Sequence, residues 1–425
     1  MTNTLWLLIL FMGANAAWGS GYEKSIMWGG RSAGLAGIAT PSIKGSEALY
    51  FNPAGIVQDK AEAQDVSFNI SPTWSQFKAP INNSNDELSS ERKLLTPVSL
   101  IYARNLNDKW ALAAGMYVSA GAYAEYKNVA FAGISGSPEV KTDLSVTEFA
   151  VGGAYRANES WNFGIAWRVI KAKAAFSTVS RGPLATMIFN VKVKNLEDTE
   201  YSGLKLGAQY KLNESTKLAL TYRSEVNLKA KGTLATTRYF GATTTNYAEG
   251  STTVRTVFPT AVTLGAEHAI GEKWRLMAEY VWTNYAKIDN IFVEGTSGPV
   301  TDARIEQHWN NQSNIRLASE CTHWSFPVRV GYVWTSQVTR NEYARSSFTP
   351  PGQAHTLTLG TGKSLAVGAN TFDLNAGLEY TVESGEGHGY ESGSGTTSTS
   401  HDSDIRSGKF SVKETALHLG VSYIF

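Results

Sequence analysis

The chain has 425 residues, 42% of them hydrophobic and 11% aromatic, and its 38 basic and 37 acidic residues nearly cancel. That balance offers no basic field for nucleic acid, and a lone Cys321 allows neither an internal disulfide nor a thiolate metal cluster. Past the N-terminus no run approaches the roughly eighteen apolar residues of a membrane helix, and mean hydropathy is slightly negative.

The first predicted element is an address. Leu5 to Met12 is an apolar run too short to span a bilayer, and small residues follow it from Ala14 to Gly19. It reads as a secretory signal peptide over residues 1–19, cleaved after Ala17 or Gly19, although no Lys or Arg precedes the run. Residues 20–62 come next, rich in Gly and Ala and without alternation, and they contain Gly30 to Gly37 and then Tyr50-Phe51-Asn52-Pro53-Ala54-Gly55. Taken alone, Asn52-Pro53 is a turn, with Asn bonding its own backbone and Pro fixing φ.

Fourteen segments of alternating polarity follow, over roughly residues 64–76, 96–104, 109–122, 143–156, 160–171, 201–212, 216–225, 257–268, 273–284, 312–321, 325–336, 355–367, 371–382 and 408–425. Stripes such as Trp110/Leu112/Ala114/Met116/Val118 and Trp161/Phe163/Ile165/Trp167/Val169 give each strand one apolar face. Many begin or end in Trp or Tyr, where the aromatic girdle of a membrane barrel lies. The intervals alternate too. Asn105 to Asp108, Ala157 to Glu159 and Asn213 to Ser215 are tight polar turns, whereas 123–142, 172–200, 226–256, 285–311, 337–354 and 383–407 are long and polar. Short turns on one side and long loops on the other distinguish the periplasmic and external ends of a bacterial barrel, and an even strand number puts both termini at the short-turn end. The last strand runs Leu417, Leu419, Val421, Tyr423, Phe425 on one face. It resembles the closing strand of outer-membrane barrels, whose terminal Phe is read by the barrel assembly machinery. Together these features predict an all-β fold: a 14-stranded antiparallel transmembrane β-barrel over residues 63–425, set in outer-membrane lipid.

Strand parity points Arg168, Lys205, Arg223, Glu267, Arg275, Glu279, Arg316, Glu320, Arg329, Asp373 and Glu379 into the lumen. Charges of both signs facing a lumen are expected to pair with neighbouring side chains. In the third strand Gly115, Ser119 and Gly121 mark a bend or bulge. Pro183 to Phe189, including Met187 and Phe189, is an apolar patch in a polar loop and reads as a contact surface.

The Gly30 to Gly37 run, Asn52-Pro53-Ala54 about thirty residues after the cleavage site, and the stretch from Trp309 to Tyr332 resemble the long-chain fatty acid transporters of the outer membrane (FadL type) and their relatives that admit aromatic hydrocarbons (TodX type). That resemblance implies a monomeric fourteen-stranded barrel whose N-terminal hatch, residues 20–62, fills the lumen as a plug. It also implies passive uptake of hydrophobic small molecules, fatty acids or aromatic hydrocarbons, through capture in an apolar pocket, hatch movement and lateral release at the third strand. Asn52, Pro53, Ala54 and Gly55 become gating residues, Gly115, Ser119 and Gly121 candidates for the lateral opening, and Met187 and Phe189 candidates for the capture groove. A fatty acid carboxylate needs a cation, and Arg168, Arg316 and Arg329 are the candidates, since an Arg fork suits a carboxylate.

No enzyme or cofactor is expected. The chain lacks a Gly-x-Ser-x-Gly elbow, its seven His show no metal spacing, and Gly360-Thr361-Gly362-Lys363-Ser364 has Leu357 where a phosphate loop needs its first Gly. The alternative is a general or substrate-specific porin for polar solutes, or a structural outer-membrane barrel; a lumen without a plug would favour the porin.

Overall fold

A computed structural model describes residues 21–60, 62–81, 87–181, 184, 186–387 and 407–425. The signal peptide expected at residues 1–19 and most of the Ser/Gly-rich stretch 384–407 lie outside them.

Fourteen antiparallel strands close into one barrel. They are β1 (Gln64–Ile70 and Thr73–Pro80), β2 (Glu87–Ser89, Lys93–Leu95 and Val98–Asn105), β3 (Trp110–Tyr126), β4 (Val140–Arg156), β5 (Trp161–Arg181), β6 (Met187–Lys211) and β7 (Thr216–Arg223 and Val226–Phe240). The second half comprises β8 (Gly250–Phe258 and Ala261–Ile270), β9 (Trp274–Thr283 and Asn290–Gly295), β10 (Ala303–Glu306 and Gln312–Cys321), β11 (Val328–Thr335), β12 (Gln353–Val367), β13 (Asn370–Gly387) and β14 (Gly408–Ile424). Neighbours in sequence pair throughout, and β14 closes on β1 with Asp65 opposite Ile424 and Thr73 opposite Ala416. Closure leaves no free edge overall, which a lipid environment demands of every backbone polar group.

The period-two pattern is realised as a lipid face and a lumen face. Leu112 is 50% exposed while Ala113 beside it is 3% exposed, and Ile165 and Ala166 differ likewise, 52% against 1%. Aromatic rings gather at the short-turn end: Trp110 against Tyr155 (4.5 Å between centroids), Trp161 against Tyr210 (4.4 Å) and Phe372 against Tyr423 (4.6 Å). The turns there share one device. Asn107 Oδ1 accepts from the amides of Lys109 and Trp110, both at 2.9 Å, and Asn158 Oδ1 does the same for Ser160 and Trp161. Phe425 N donates to Gln64 O (3.0 Å), so the C-terminal residue belongs to the closing ladder.

Several expected boundaries change. The loops expected at 172–200 and 226–256 are largely strand, because β5, β6 and β7 continue beyond the lipid belt. Their outward faces there carry residues such as Lys192, Lys194 and Glu197, so a lipid-facing alternation could not reveal them. The apolar patch is likewise not a loop over its second half: Met187 and Phe189 start β6 and pair with Phe240 and Arg238 of β7, and Ile188 between them is buried. The β3 stripe stops at Met116, since Val118 is 2% exposed.

The leading segment lies within the barrel wall. It is built from two single-turn helices, α1 (Gly30–Ala33) and α2 (Ala48–Phe51), and a 3-10 turn over Pro53–Ile56. It reaches the wall on many sides: Trp28 bonds β3, Asn52 bonds β6, Thr40 bonds β9, Arg316 of β10 bonds Ser25, and Lys24 bonds β13. Its small residues allow this density, since α1 packs backbone to backbone against β12, β13 and β14.

Candidate functional site

Asn52 is the N-cap of the 3-10 turn, accepting from Ala54 N (3.1 Å) with Pro53 at the first position, as the isolated turn reading expects. Its amide does more. Nδ2 donates to Thr40 O (3.0 Å) within the segment and to Ala208 O (3.1 Å) on β6. The wall is shaped to receive this turn: a Cβ on Gly164 of β5 would stand 2.1 Å from Pro53 C, and one on Gly207 of β6 would stand 2.0 Å from Asn52 Oδ1. Gly55 is equally confined, its absent Cβ falling 2.2 Å from Ile43 O. Sequence reading singled out neither Gly164 nor Gly207; the available signal was glycine at inward parity in the middle of a strand.

Beside this turn lies a cavity of about 110 Å³. Trp28, Tyr50, Phe51 and Tyr117 form one side, with Trp28 and Tyr50 rings 4.6 Å apart and Tyr50 and Tyr117 4.9 Å apart. Arg168, Lys205, Arg223, Arg316, Glu23, Glu148 and Glu279 form much of the rest. Arg168 meets Glu148 through a fork of 2.7 and 2.6 Å, both side chains being buried, and Arg316 meets Glu279 at 2.9 Å. Arg223 is paired with Glu23 of the leading segment. Such pairing offsets the desolvation of buried charges.

Arg329 stands apart from the cavity. It bonds Glu320 (2.6 Å), which also receives Arg31 from α1 (3.2 Å), so this cluster fastens the leading segment to the wall. A second buried fastening joins Lys24 to Glu379 (2.7 Å) and Glu414 (2.6 Å), with His418 Nε2 2.9 Å from Glu379. Glu23, Lys24 and Glu148 are absent from the charges that parity assigns to the lumen: the first two lie outside any strand, and Glu148 lies within the expected strand 143–156.

The third strand carries the bend that its small residues predict, at Ser119 and not at a glycine. Val118 pairs with Thr147 and Ala120 with Val146, leaving Ser119 as the extra residue of a β-bulge. On its other side β3 pairs with β2 only from Asn105/Ala111 to Ser99/Tyr117. Two residues further on, Pro97 stands at the register position of Ser119 and has no N–H to donate. Above it β2 turns to β1, pairing Thr73 with Leu95. The seam between β2 and β3 is therefore spanned by the Glu91 N to Glu125 O bond (2.8 Å) and by side chains: Leu95 packs on Tyr123, and Lys93 Nζ lies 3.7 Å over the Tyr123 ring. The leading segment covers it from within. Trp28 Nε1 donates to Val118 O (3.1 Å), and Gly121 N donates to Tyr22 O (3.3 Å). The Tyr22 hydroxyl, pushed up to about 12 by burial, bonds Thr256 (3.0 Å) as a neutral group. Gly115, below the seam, lets β2 approach: its absent Cβ would be 2.6 Å from Leu100 O.

Outside the seam and above the leading segment the interior turns apolar. Tyr22, Phe77, Tyr126, Phe131, Trp309 and Phe410 belong to one buried cluster, joined by Ile188, Val193 and Leu234 from the extended strands β6 and β7. Met187 and Phe189 are half-buried on the rim of that extension, not in the cluster.

The sequence profile of a family described as outer membrane protein transport protein (OMPP1/FadL/TodX) matches residues 14–423. A long-chain fatty acid transport protein of Salmonella typhi is 25% identical over 255 residues, covering 53% of this chain and 57% of that protein. The chain thus spans little more than half the length of the curated relatives it matches. The crystal structure of a Pseudomonas aeruginosa FadL homologue aligns over 96% of this chain and 99% of its own with a TM-score of 0.71 at 13% identity. That of the P. putida toluene transporter TodX aligns over 96% and 98% with a TM-score of 0.66 at 16% identity. At such identities these structures establish the shared fold.

Proposed function

The chain belongs to the outer membrane protein transport family (OMPP1/FadL/TodX) and resides in the outer membrane of a Gram-negative bacterium, and from this premise we propose that it takes up long-chain fatty acids or related hydrocarbons and releases them sideways between β2 and β3. Relatives in the family are transporters, and the same role without catalysis is proposed here. A hydrophobic molecule enters the apolar interior at the external end, moves to the cavity beside Trp28 and Tyr50, and leaves through the seam once the leading segment withdraws from it. Residues 20–62 act as the hatch, with Asn52, Pro53, Ala54 and Gly55 fixing its seat. Gly115, Ser119 and Gly121 belong to the exit. The barrel acts as a monomer and is delivered to the membrane by the assembly machinery through Phe425.

One observation carries this reading: past Tyr117 the edge of β3 has lost its ladder with β2 and is bonded by the hatch at Val118 and Gly121. Unpaired backbone at membrane depth is costly unless something satisfies it, so the hatch is the removable partner of that edge. A porin needs a continuous aqueous path, and the packed leading segment argues against one. The test is to incubate the purified protein with oleate and with toluene, identify the retained molecule by mass spectrometry, and record conductance in planar bilayers. Retention of either with small conductance supports uptake of hydrophobic molecules. A large steady conductance and no retained ligand would favour the porin.

A further inference from the structure

Where the lipid face of the wall ends, one arc of its outer surface becomes basic. On β5 the outward residues Trp161, Phe163, Ile165 and Trp167 are exposed, and Lys171 and Lys173 follow at the same parity. Lys171 lies ten residues beyond Trp161, which stands at the short-turn end. At about 3.3 Å per residue on a strand tilted by about 35–45°, that separation rises roughly 25 Å, the height of the apolar band of a membrane barrel. Lys171 therefore marks the external boundary of the lipid belt.

The ladders carry this level around the wall. Lys171 stands opposite Thr199 and Lys229 opposite Arg255, while Phe292 lies between Arg255 and Arg304; one row higher, Glu197 lies between Lys173 and Lys231. From β5 to β10 these two rows thus present Lys171, Lys173, Lys229, Lys231, Arg255 and Arg304, against the carboxylates of Glu197 and Glu294. Both carboxylates are already taken, Glu197 by Lys173 and Glu294 by Arg255, each at 2.7 Å. Asp198, beside them on β6, accepts from the backbone amides of Thr199 (2.9 Å) and Lys229 (2.5 Å). Lys171, Lys229 and Lys231 form no ion pair among the described residues. Like charges directly opposite on paired strands, as Lys229 and Arg255 are, destabilise a sheet. An anion held over them reverses the sign of that term.

We propose that this arc binds the phosphorylated head of an outer-leaflet glycolipid, with its phosphates on Lys171, Lys229 and Lys231 and its acyl chains along the apolar stripe below. The occupant follows from charge and from height. A surplus of cations at the boundary of the lipid belt complements an anionic head group whose chains must lie just beneath it, and the exposed Ile165, Trp167, Leu206 and Leu220 offer those chains their surface. Such a lipid would fix the height of the barrel in the membrane and brace β5, β6 and β7 where they leave it. Neither role depends on what the lumen carries.

The test compares lipid A bearing its phosphates with the same lipid A after enzymatic dephosphorylation, and with phosphatidylglycerol as a second anionic lipid. Affinities for the full-length mature protein in non-ionic detergent are read by native mass spectrometry. Phosphorylated lipid A should bind the wild type about 10-fold or more tightly than the dephosphorylated form, and the preference should shrink as salt rises. The triple variant Lys171→Gln/Lys229→Gln/Lys231→Gln, checked for folding by heat-modifiable mobility, should lose that preference. Lys363→Gln, which changes an exposed residue at the short-turn end of β12, should keep it. Equal affinities for the two forms of lipid A in the wild type, a comparison that needs no variant, would overturn the site. Phosphatidylglycerol binding as tightly as phosphorylated lipid A would overturn the glycolipid assignment, and an undiminished preference in the folded triple variant would exclude these three lysines as the receptor.

Discussion

Gly164→Ala adds one methyl group to a wall strand, and its consequence follows from distance. The new Cβ would lie 2.1 Å from Pro53 C and 2.3 Å from Ala54 N, both backbone atoms that cannot rotate away. Carbon atoms in contact sit near 3.5–4.0 Å, so either the 53–54 backbone retreats by roughly 1.4 Å or β5 bows outward by as much. Overpacking of this kind costs about 1–3 kcal/mol. The barrel wall, with continuous ladders to β4 and β6, is stiffer than a hatch held by scattered side-chain bonds, so the displacement falls on the hatch. Gly207→Ala acts on the same turn from the next strand, its Cβ 2.0 Å from Asn52 Oδ1. Gly153→Ala, where a Cβ comes no closer than 3.4 Å to the neighbouring wall, is the control. Hydrogen exchange should show lower protection over residues 48–58 in the first two variants and wild-type protection in the control. Planar-bilayer conductance should rise in parallel, while heat-modifiable mobility reports an intact barrel. Unchanged protection and conductance in both Gly164→Ala and Gly207→Ala would refute the claim that these glycines form the hatch seat.

Asn52→Ala removes bonds to Thr40 O and Ala208 O, each worth about 1 kcal/mol, and with Pro53→Ala it should lower oleate or toluene uptake in cells while leaving the barrel folded. Glu148→Ala strands the buried Arg168 guanidinium and should destabilise the protein by about 3–5 kcal/mol, read as a lower temperature of the mobility shift. Trp28→Ala loses the bond to Val118 O and the contacts with Tyr50, Phe51 and Tyr117, so amide exchange along 118–124 should accelerate while 111–117 stays protected by β2. Phe425→Ala should reduce the amount of folded protein reaching the outer membrane, measured by surface labelling, without lowering the stability of what is assembled by more than its single strand-end contact.

The barrel was legible in the sequence because lipid imposes a strict period of two. Leu112 beside Ala113 and Ile165 beside Ala166 follow from it directly. Above the lipid no such pressure acts, and the extended halves of β5, β6 and β7 read as loops although their backbones pair. The bend in β3 was visible as a cluster of small residues, yet its position at Ser119 shows only in the register against Thr147 and Val146 of β4, a cross-strand relation that one strand alone does not display. Parity placed Arg168, Arg316 and Arg329 inward. It could not show their partners, because Glu148 lies on another strand and Arg31 in a segment without periodicity. The seat of Asn52 was invisible for a similar reason: Gly164 and Gly207 acquire meaning only when the turn is seen against them.

The seam between β2 and β3 is the proposed way out, and closing it covalently is the direct test. Leu95 and Tyr123 pack together across the seam. In a background with Cys321→Ser, the variant Leu95→Cys/Tyr123→Cys can be joined by a short bismaleimide, with either single cysteine as control. The predicted result is that cross-linking abolishes uptake of labelled oleate or toluene by intact cells, while the purified cross-linked barrel still retains ligand. Unimpaired uptake through the cross-linked barrel would show that the substrate leaves by another route.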